Sequence, residues 1–535
     1  MAENVPLTPA SRQLGRLVPR NSKVLIVLVI ISCLVNSMTM GYDGNMMNGL
    51  NILPSFYDTI SLNTAGQSVS TGIIWVGGCV AALFSGPVID RWGRKPGMLV
   101  AALIACVGIP LQTAAQTPAM FVVSRLIVGI GVGLSSVACP TYCAETAPLQ
   151  WRAFCLGLYY AFWYGGGLLA SGVTYGTAKL LSSWAWRLPS LIQLVPALLC
   201  IAVLPFIPES PRWLMYHGRE AEALEVFAIM SANGDTSDPV VMTQYKQVYD
   251  TVVFEKSNKA SQNWLDAFRT HNNRKRMMLA CSCAVIGNIS GSGIISYYLG
   301  TMLSQAGITN TNTQLQINIY LSIWCLFMAI LGTCLADKIG RKILGAGSMT
   351  ASLIFLYLVG AFTKLYGSGE NYSGVLGTVA CIFLYQGIYS FGWTTLLVMY
   401  PPEVLNFSLR ANGVSIYTFF SNGVATFNNA LFALFALCVV TFAFPFALAK
   451  IGWKTYMINA TWDILEVIFI ILFWVETSNK TLEEIDELID GEMHSDAPVL
   501  MAVIHGDVDV KAAIMTSGEE DGKGETNKQA TIVIT

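Results

Sequence analysis

Long apolar stretches separated by short polar ones set the pattern of this chain. Val24–Gly41, Met98–Val123 and Leu188–Ile207 each run without one charged residue. About 20 apolar residues wound as a helix cross the core of a bilayer, and a helix satisfies its own backbone there. Reading every such run gives twelve predicted spans, at 24–44, 69–89, 97–115, 119–141, 153–173, 188–207, 277–302, 318–336, 343–363, 374–399, 411–443 and 456–475. The eleventh is too long for one plain helix. It is expected to pair a tilted helix with a re-entrant or interfacial piece ending at Pro445. The predicted fold class is an all-α membrane protein.

Lys and Arg orient the spans, because cytosolic loops collect them. Arg91, Arg94 and Lys95 follow span 2, Arg152 follows span 4, Lys338, Arg341 and Lys342 follow span 8, and Arg410 follows span 10. The opposite loops, 45–68 and 303–317, hold neither residue type. Both termini and the 208–276 segment are therefore expected in the cytosol. The organisation that follows is a cytosolic tail over 1–23, one six-span half over 24–207, a linker of short amphipathic helices over 208–276, a second half over 277–476 and a polar tail over 477–535, disordered after about 490.

Composition agrees with this picture. The 535 residues are 54% hydrophobic and 12% charged, with mean hydropathy +0.54, whereas soluble domains carry about 25% charged residues. A net charge of −2 gives no reason to expect a nucleic-acid partner. The 13 cysteines lie in or beside apolar runs and read as small packing residues, with no zinc spacing and no disulfide framework. No metal and no cofactor is expected. No nucleophile–base pair and no phosphate loop stands out, which argues against an enzyme and against an ATP-driven pump.

The two halves repeat each other. Asp90-Arg91-Trp92-Gly93-Arg94-Lys95 recurs as Asp337-Lys338-Ile339-Gly340-Arg341-Lys342, and the Tyr142, Glu145, Arg152 spacing recurs as Tyr400, Glu403, Arg410. Parallel repeats of this kind place a substrate site at mid-membrane on the interface of the halves. The glycines permit a tight turn between helices. Asp90, Arg91, Arg94, Glu145 and Arg152, with Asp337, Arg341, Glu403 and Arg410, are candidates for a cytosolic gate: each turn Asp is expected to meet a neighbouring Arg, and Glu145 with Arg152 and Glu403 with Arg410 to form ion pairs that break when the other state forms. The plainer alternative is positive-inside anchoring alone.

These motifs, with Gly41-Tyr42-Asp43, Glu145-x-Ala147-Pro148, Trp186-Arg187-x-Pro189, Pro208-Glu209-Ser210-Pro211-Arg212-Trp213-Leu214 and Glu476-Thr477, resemble the sugar porter family of the major facilitator superfamily from about residue 24 to 486. Ser290-Gly291-x-Gly293, Tyr297-Tyr298, Trp393-Thr394 and Tyr400-Pro401-x-Glu403 are similar, more narrowly, to its fungal lactose-permease-like and hexose transporter branch. The resemblance implies two pseudo-symmetric six-helix halves and a monomer in the plasma membrane. It also implies a secondary transporter of a sugar by alternating access, coupled to a proton taken by Asp43 with Arg125 as its cation partner. An acid inside a membrane span is a functional candidate in its own right. Asp463 and Glu466 in span 12 are read as peripheral.

The sugar site departs from the family pattern. Tyr160 stands where a span-5 glutamine is usual, and span 7 reads Gly287-Asn288-Ile289-Ser290-Gly291-Ser292-Gly293, with one shortened amide and the last asparagine missing. A long amide both donates to and accepts from a hydroxyl, so fewer amides and more aromatic surface suit a bulkier or less polar ligand. Candidate substrate contacts are Tyr160, Gln193, Asn288, Ser292, Tyr297, Tyr298, Trp393 and Asn428, with Gln386 and Asn422 able to compensate. Competing readings are a porter for a glycoside, polyol or secondary metabolite, and a non-transporting sugar sensor. Asn371-Tyr372-Ser373 is a glycosylation sequon in a predicted outer loop.

Overall fold

The computed structural model describes residues 17–60, 64–180, 182–257, 268–367, 372–405, 410–429 and 451–478, together with 485 and 488–489. Among the described residues the chain is built of helices. Six spans come first: α1 (Ser22–Leu50), α3 (Thr64–Trp92), α4 (Arg94–Thr113), α5 (Pro118–Thr146), α6 (Leu149–Thr177) and the broken pair α7 (Trp184–Ile192) and α8 (Leu194–Val203), with a short α2 (Pro54–Ile60) after the first. The linker forms α9 (Pro211–Tyr216), α10 (Glu220–Ala232) and α11 (Pro239–Ser257). The second half holds α12 (His271–Ile289) and α13 (Ser292–Gln305), then α14 (Thr311–Ile339), α15 (Arg341–Tyr366), α16 (Tyr372–Val404), α17 (Arg410–Asn429) and α18 (Lys454–Phe473). Nine of the described helical stretches are long and apolar enough to cross a membrane alone. Spans 5, 7 and 11 fall outside that group: span 7 is broken at Gly291, and residues 430–450 of span 11 lie outside the described residues.

Local chemistry explains the helix ends. Asn21 caps α1 through hydrogen bonds from Lys23 N and Val24 N, and Asn310 caps α14 in the same way. Span 6 divides at Gln193 because Pro196 cannot donate to the carbonyl one turn back. Within each half the helices meet closely. A Cβ added at Gly41 would lie 1.8 Å from Trp163 O, and one at Gly166 would lie 2.2 Å from Met38 O, so spans 1 and 5 touch backbone to backbone.

The halves join along α3 with α17 and along α6 with α14. Those are spans 2 with 11 and 5 with 8, which exchange under a shift of six spans, as a two-fold relation between the halves requires. The linker helix α10 buries Ala223, Val226, Ile229 and Met230 and ties to the start of span 1, where Ser22 Oγ donates to Met230 O at 2.8 Å.

Candidate functional site

Three buried side chains from three spans converge inside the first half. Asp43 on span 1, Arg125 on span 4 and Gln193 at the break of span 6 are all fully buried. Arg125 Nη1 and Nη2 donate to Asp43 Oδ1 and Oδ2 at 3.2 and 3.4 Å, and Arg125 Nε donates to Ser70 O at 2.7 Å. Gln193 Nε2 donates to Asp43 Oδ1 at 2.8 Å. A buried carboxylate is tolerable only with such partners. The local sequence positions them: Gly41 lets span 1 approach span 5, and Tyr42 Oη donates to Pro189 O at 2.8 Å, fixing span 6 beside Asp43. Gln193, expected on the substrate, is instead held by Asp43.

The basic end of each half carries one matching clasp. In the first, Gly93 takes φ +106° and α4 begins at Arg94. Arg94 pairs with Glu145 at 2.9 Å and with Asp90 at 3.4 Å. Glu209 Oε1 accepts Arg94 N at 3.0 Å and Lys95 N at 3.2 Å, capping the helix start. In the second, Gly340 takes φ +93°, Arg341 makes a two-pronged pair with Glu403 at 3.2 and 2.9 Å, and Glu476 accepts Arg341 N at 2.7 Å and Lys342 N at 3.0 Å. The capping acids Glu209 and Glu476 were missing from the gate set. Their signal was present as a third repeat, a Glu followed by Ser or Thr just after spans 6 and 12. Glu209→Ala and Glu476→Ala should each cost about 0.5–2 kcal/mol, as lost helix caps do. That cost would be read as a lower unfolding temperature of the purified protein, and unchanged melting of both variants would count against the capping role.

Between the halves a cleft opens at this same end. Its walls include Pro140, Thr141 and Ala144 at the end of span 4, Tyr159 and Tyr160 of span 5, Pro401 and Pro402 at the end of span 10, and Tyr417 of span 11. A smaller cavity lies toward the other end, among Asn45, Asn48, Tyr164, Asn318, Ser322 and Gln386. Beyond it the halves are sealed by amides and hydroxyls. Asn45 Nδ2 donates to Ser322 Oγ at 3.2 Å, Asn48 Nδ2 to Asn318 Oδ1 at 3.1 Å, and Asn318 Nδ2 to Ser171 Oγ at 3.0 Å. Sequence reading missed this seal, although Asn45 and Asn48 three apart, and Asn318 and Ser322 four apart, each fall on one helix face.

The expected site residues divide clearly. Tyr160 lines the cleft. Asn288 borders it, donating to Ser421 Oγ at 3.1 Å across to span 11. Ser292 is buried in the span-7 break, with its hydroxyl on Gly287 O at 3.4 Å. Tyr298 is buried, and its hydroxyl has no hydrogen-bond partner among the described residues. Trp393 is fully buried edge-on against Trp474, with ring centroids 5.6 Å apart, and lines neither cavity, because its position on span 10 faces span 12. Asp463 and Glu466, read as peripheral, are buried within the second half. Arg91 is exposed and Arg152 half-buried. The side chains of Tyr297, Asn428, Asp337 and Arg410, and Asn371 altogether, lie outside the described residues.

Known proteins extend this geometry. The family model described as sugar (and other) transporter matches residues 28–489. A high-affinity glucose transporter of Kluyveromyces lactis is 29% identical over 87% of this chain and 85% of its own length. A probable quinate permease of Aspergillus flavus is 28% identical over 88% of this chain and 89% of its own. Among solved structures, the proton:xylose symporter XylE bound to 6-bromo-6-deoxy-D-glucose aligns with a TM-score of 0.73 at 20% identity, covering 87% of this chain and 99% of that one. With its helices, its interface and its match over most of the sequence, the chain belongs to the sugar (and other) transporter family and has the twelve-helix, two-half major facilitator fold.

Proposed function

We propose that this protein carries a sugar or a closely related polyol across the plasma membrane together with a proton, as a monomer working by alternating access. One observation carries the substrate class: amide residues that line the cavities keep polar atoms with no hydrogen-bond partner among the described residues. Asn48 and Gln386 line the smaller cavity and Asn422 lines the cleft, and the unpaired atoms are Asn48 Oδ1, Gln386 Oε1 and Asn422 Nδ2. A buried group left unpaired costs about 1–3 kcal/mol, so such atoms favour a ligand rich in hydroxyls. The sealed end and the open end correspond to one of the two states that alternating access needs, with the basic end taken as cytosolic. The Asp43–Arg125 pair supports the coupling, since protonating the acid would free the guanidinium. The deciding experiment is uptake of a labelled sugar panel into transporter-null cells with and without a protonophore. Uptake of no sugar or polyol would refute the substrate class, and uptake untouched by the protonophore would refute the coupling.

A second reading, a porter for a glycoside or a cyclic polyol acid, is favoured by the aromatic wall of Trp75, Tyr159, Tyr160 and Tyr417. A phenol stacks on a ring but cannot grip two neighbouring hydroxyls as an amide does. If the site has diverged in this way, Tyr160→Gln combined with Asn288→Gln should raise hexose affinity by about 5–150-fold, the equivalent of about 1–3 kcal/mol. High-affinity hexose uptake by the wild type that the double variant loses would reject divergence.

A further inference from the structure

Span 12 holds two acids that none of the machinery above uses. Asp463 is fully buried and Glu466 is 5% exposed. They share a buried stripe with Asn459 and Ile470, whereas Trp462, Leu465 and Ile468 face outward. Asn459 Nδ2 donates to Asp463 Oδ1 at 3.1 Å. Asp463 Oδ2 and both oxygens of Glu466 accept no hydrogen bond from the described residues. The Trp462 indole lies beside Glu466 without completing one.

No cation reaches the pair from the elements around it, as far as the described residues extend. On span 9, Arg341 is bound to Glu403 and Lys342 sits beside it at the helix start, while Lys364 at the far end lies over the Trp453 ring, 4.8 Å from its centroid. On span 7, Arg274, Lys275 and Arg276 are confined to the first turns of α12, and Arg276 Nη1 binds Val404 O at 2.9 Å. Span 10 offers two phenols. Tyr385 Oη donates to Ser290 O at 2.5 Å and Tyr389 Oη to Gly287 O at 2.6 Å, and Tyr385 lies within electrostatic reach of both acids.

A separate buried group points to the same place. Ser352 on span 9 is 1% exposed, and its Oγ has no hydrogen-bond partner among the described residues. Spans 9 and 12 run antiparallel: a Cβ at Gly345 would meet Trp474 at 3.3 Å and one at Gly360 would meet Met457 at 3.2 Å. That register sets Ser352 level with Glu466. Leu356, one turn on from Ser352, reaches within 3.2 Å of the Gly291 Cβ position, beside Asn459 Nδ2 at 2.9 Å, so this face of span 9 looks toward span 12.

Two carboxylates one helical turn apart, dry and without a cation, cannot both stay ionised. We propose that Asp463 and Glu466 form a protonated carboxyl pair, a second proton-binding site inside the membrane, separate from Asp43. The inference rests on burial and pairing, not on the transported substrate. The site backs onto the break in span 7, where Gly291 takes φ +89° and the Tyr385 hydroxyl holds the Ser290 carbonyl. Loss of the proton would offer Tyr385 a charged acceptor stronger than Ser290 O. The phenol would then release the carbonyl at the break, so the proton's presence would bear on the position of span 7.

Infrared spectroscopy of the purified full chain in lipid nanodiscs tests this through the carbonyl stretch of a protonated carboxyl. The wild type should show that band at neutral pH. Asp463→Asn and Glu466→Gln should each lose or diminish it, and Asp43→Asn should retain it. Should an amide variant fail to fold, Asp463→Glu and Glu466→Asp keep an acid in place and should shift the band without abolishing it. Absence of the band from the wild type, or its survival unchanged in every span-12 variant, would overturn the proposal. Loss of the band when sodium replaces choline at constant ionic strength would also overturn it, in favour of a metal-cation site.

Discussion

Asp43→Asn is expected to abolish accumulation of substrate against a gradient while leaving exchange across the membrane. The asparagine keeps the size of the acid and can still face Gln193 and Arg125, but it cannot take up or release a proton. With Arg125 bound to Ser70 O through Nε, the guanidinium keeps one partner and stays in place. The companion change, Arg125→Ala, removes the cation and leaves a fully buried carboxylate with only Gln193. Breaking a buried pair in this way costs about 3–5 kcal/mol, so that variant should lose folded protein as well as coupling. Counterflow in proteoliposomes separates the two outcomes, because it needs a working carrier but no proton gradient. Accumulation by Asp43→Asn at the wild-type level would remove this acid from the coupling mechanism.

The second large effect belongs to Gly41. A side chain there would enter the backbone of Trp163, whose carbonyl oxygen lies 1.8 Å from the Cβ position. Nothing flexible can yield, since the atom in the way is main chain of span 5. Gly41→Val should therefore exceed the ~1–3 kcal/mol of ordinary overpacking. It should push spans 1 and 5 apart and leave little monodisperse protein after detergent extraction. Gly172→Ala is the matched control, because a Cβ at that position meets nothing within 4 Å. A well-behaved Gly41→Val protein, or equal damage from both changes, would mean that spans 1 and 5 do not pack as described.

Much of the fold could be read from the sequence because a bilayer simplifies the problem. Apolar length marks a span, and Lys and Arg placement sets its ends, so the spans emerged without any tertiary information. The gate residues followed from the repeated motifs but their pairing did not: Glu145, expected with Arg152, pairs with Arg94, and Glu403, expected with Arg410, pairs with Arg341, because the partners come from loops far apart in the chain. Which way a side chain faces inside a bundle was harder to read. Gln193 and Trp393 are polar or aromatic residues in inward spans, as substrate contacts are, yet one serves Asp43 and the other packs on Trp474. Asp463 and Glu466 lie in the middle of span 12, where sequence alone does not tell which face they occupy, and only the packing of spans 7, 9 and 10 around them reveals their burial. The amide seal of Asn45, Asn48 and Asn318 arises from pairing between halves that are far apart in the chain, and one strand of sequence gives no register for it.

The buried acids also bear on how the chain enters the membrane. An acidic residue at the middle of a span costs about 2.5–3.5 kcal/mol when that span must leave the translocon for lipid alone. Lys454–Phe473 carries two of them in a stretch whose mean hydropathy is 1.7. It is also synthesised after the spans it packs against. By then spans 7, 9 and 10 are already in the bilayer and can receive Asp463 and Glu466 directly, so the acids need not face hydrocarbon. Order of synthesis thus offsets the cost of the acids, and the twelfth helix draws on its neighbours as well as on its own apolar length.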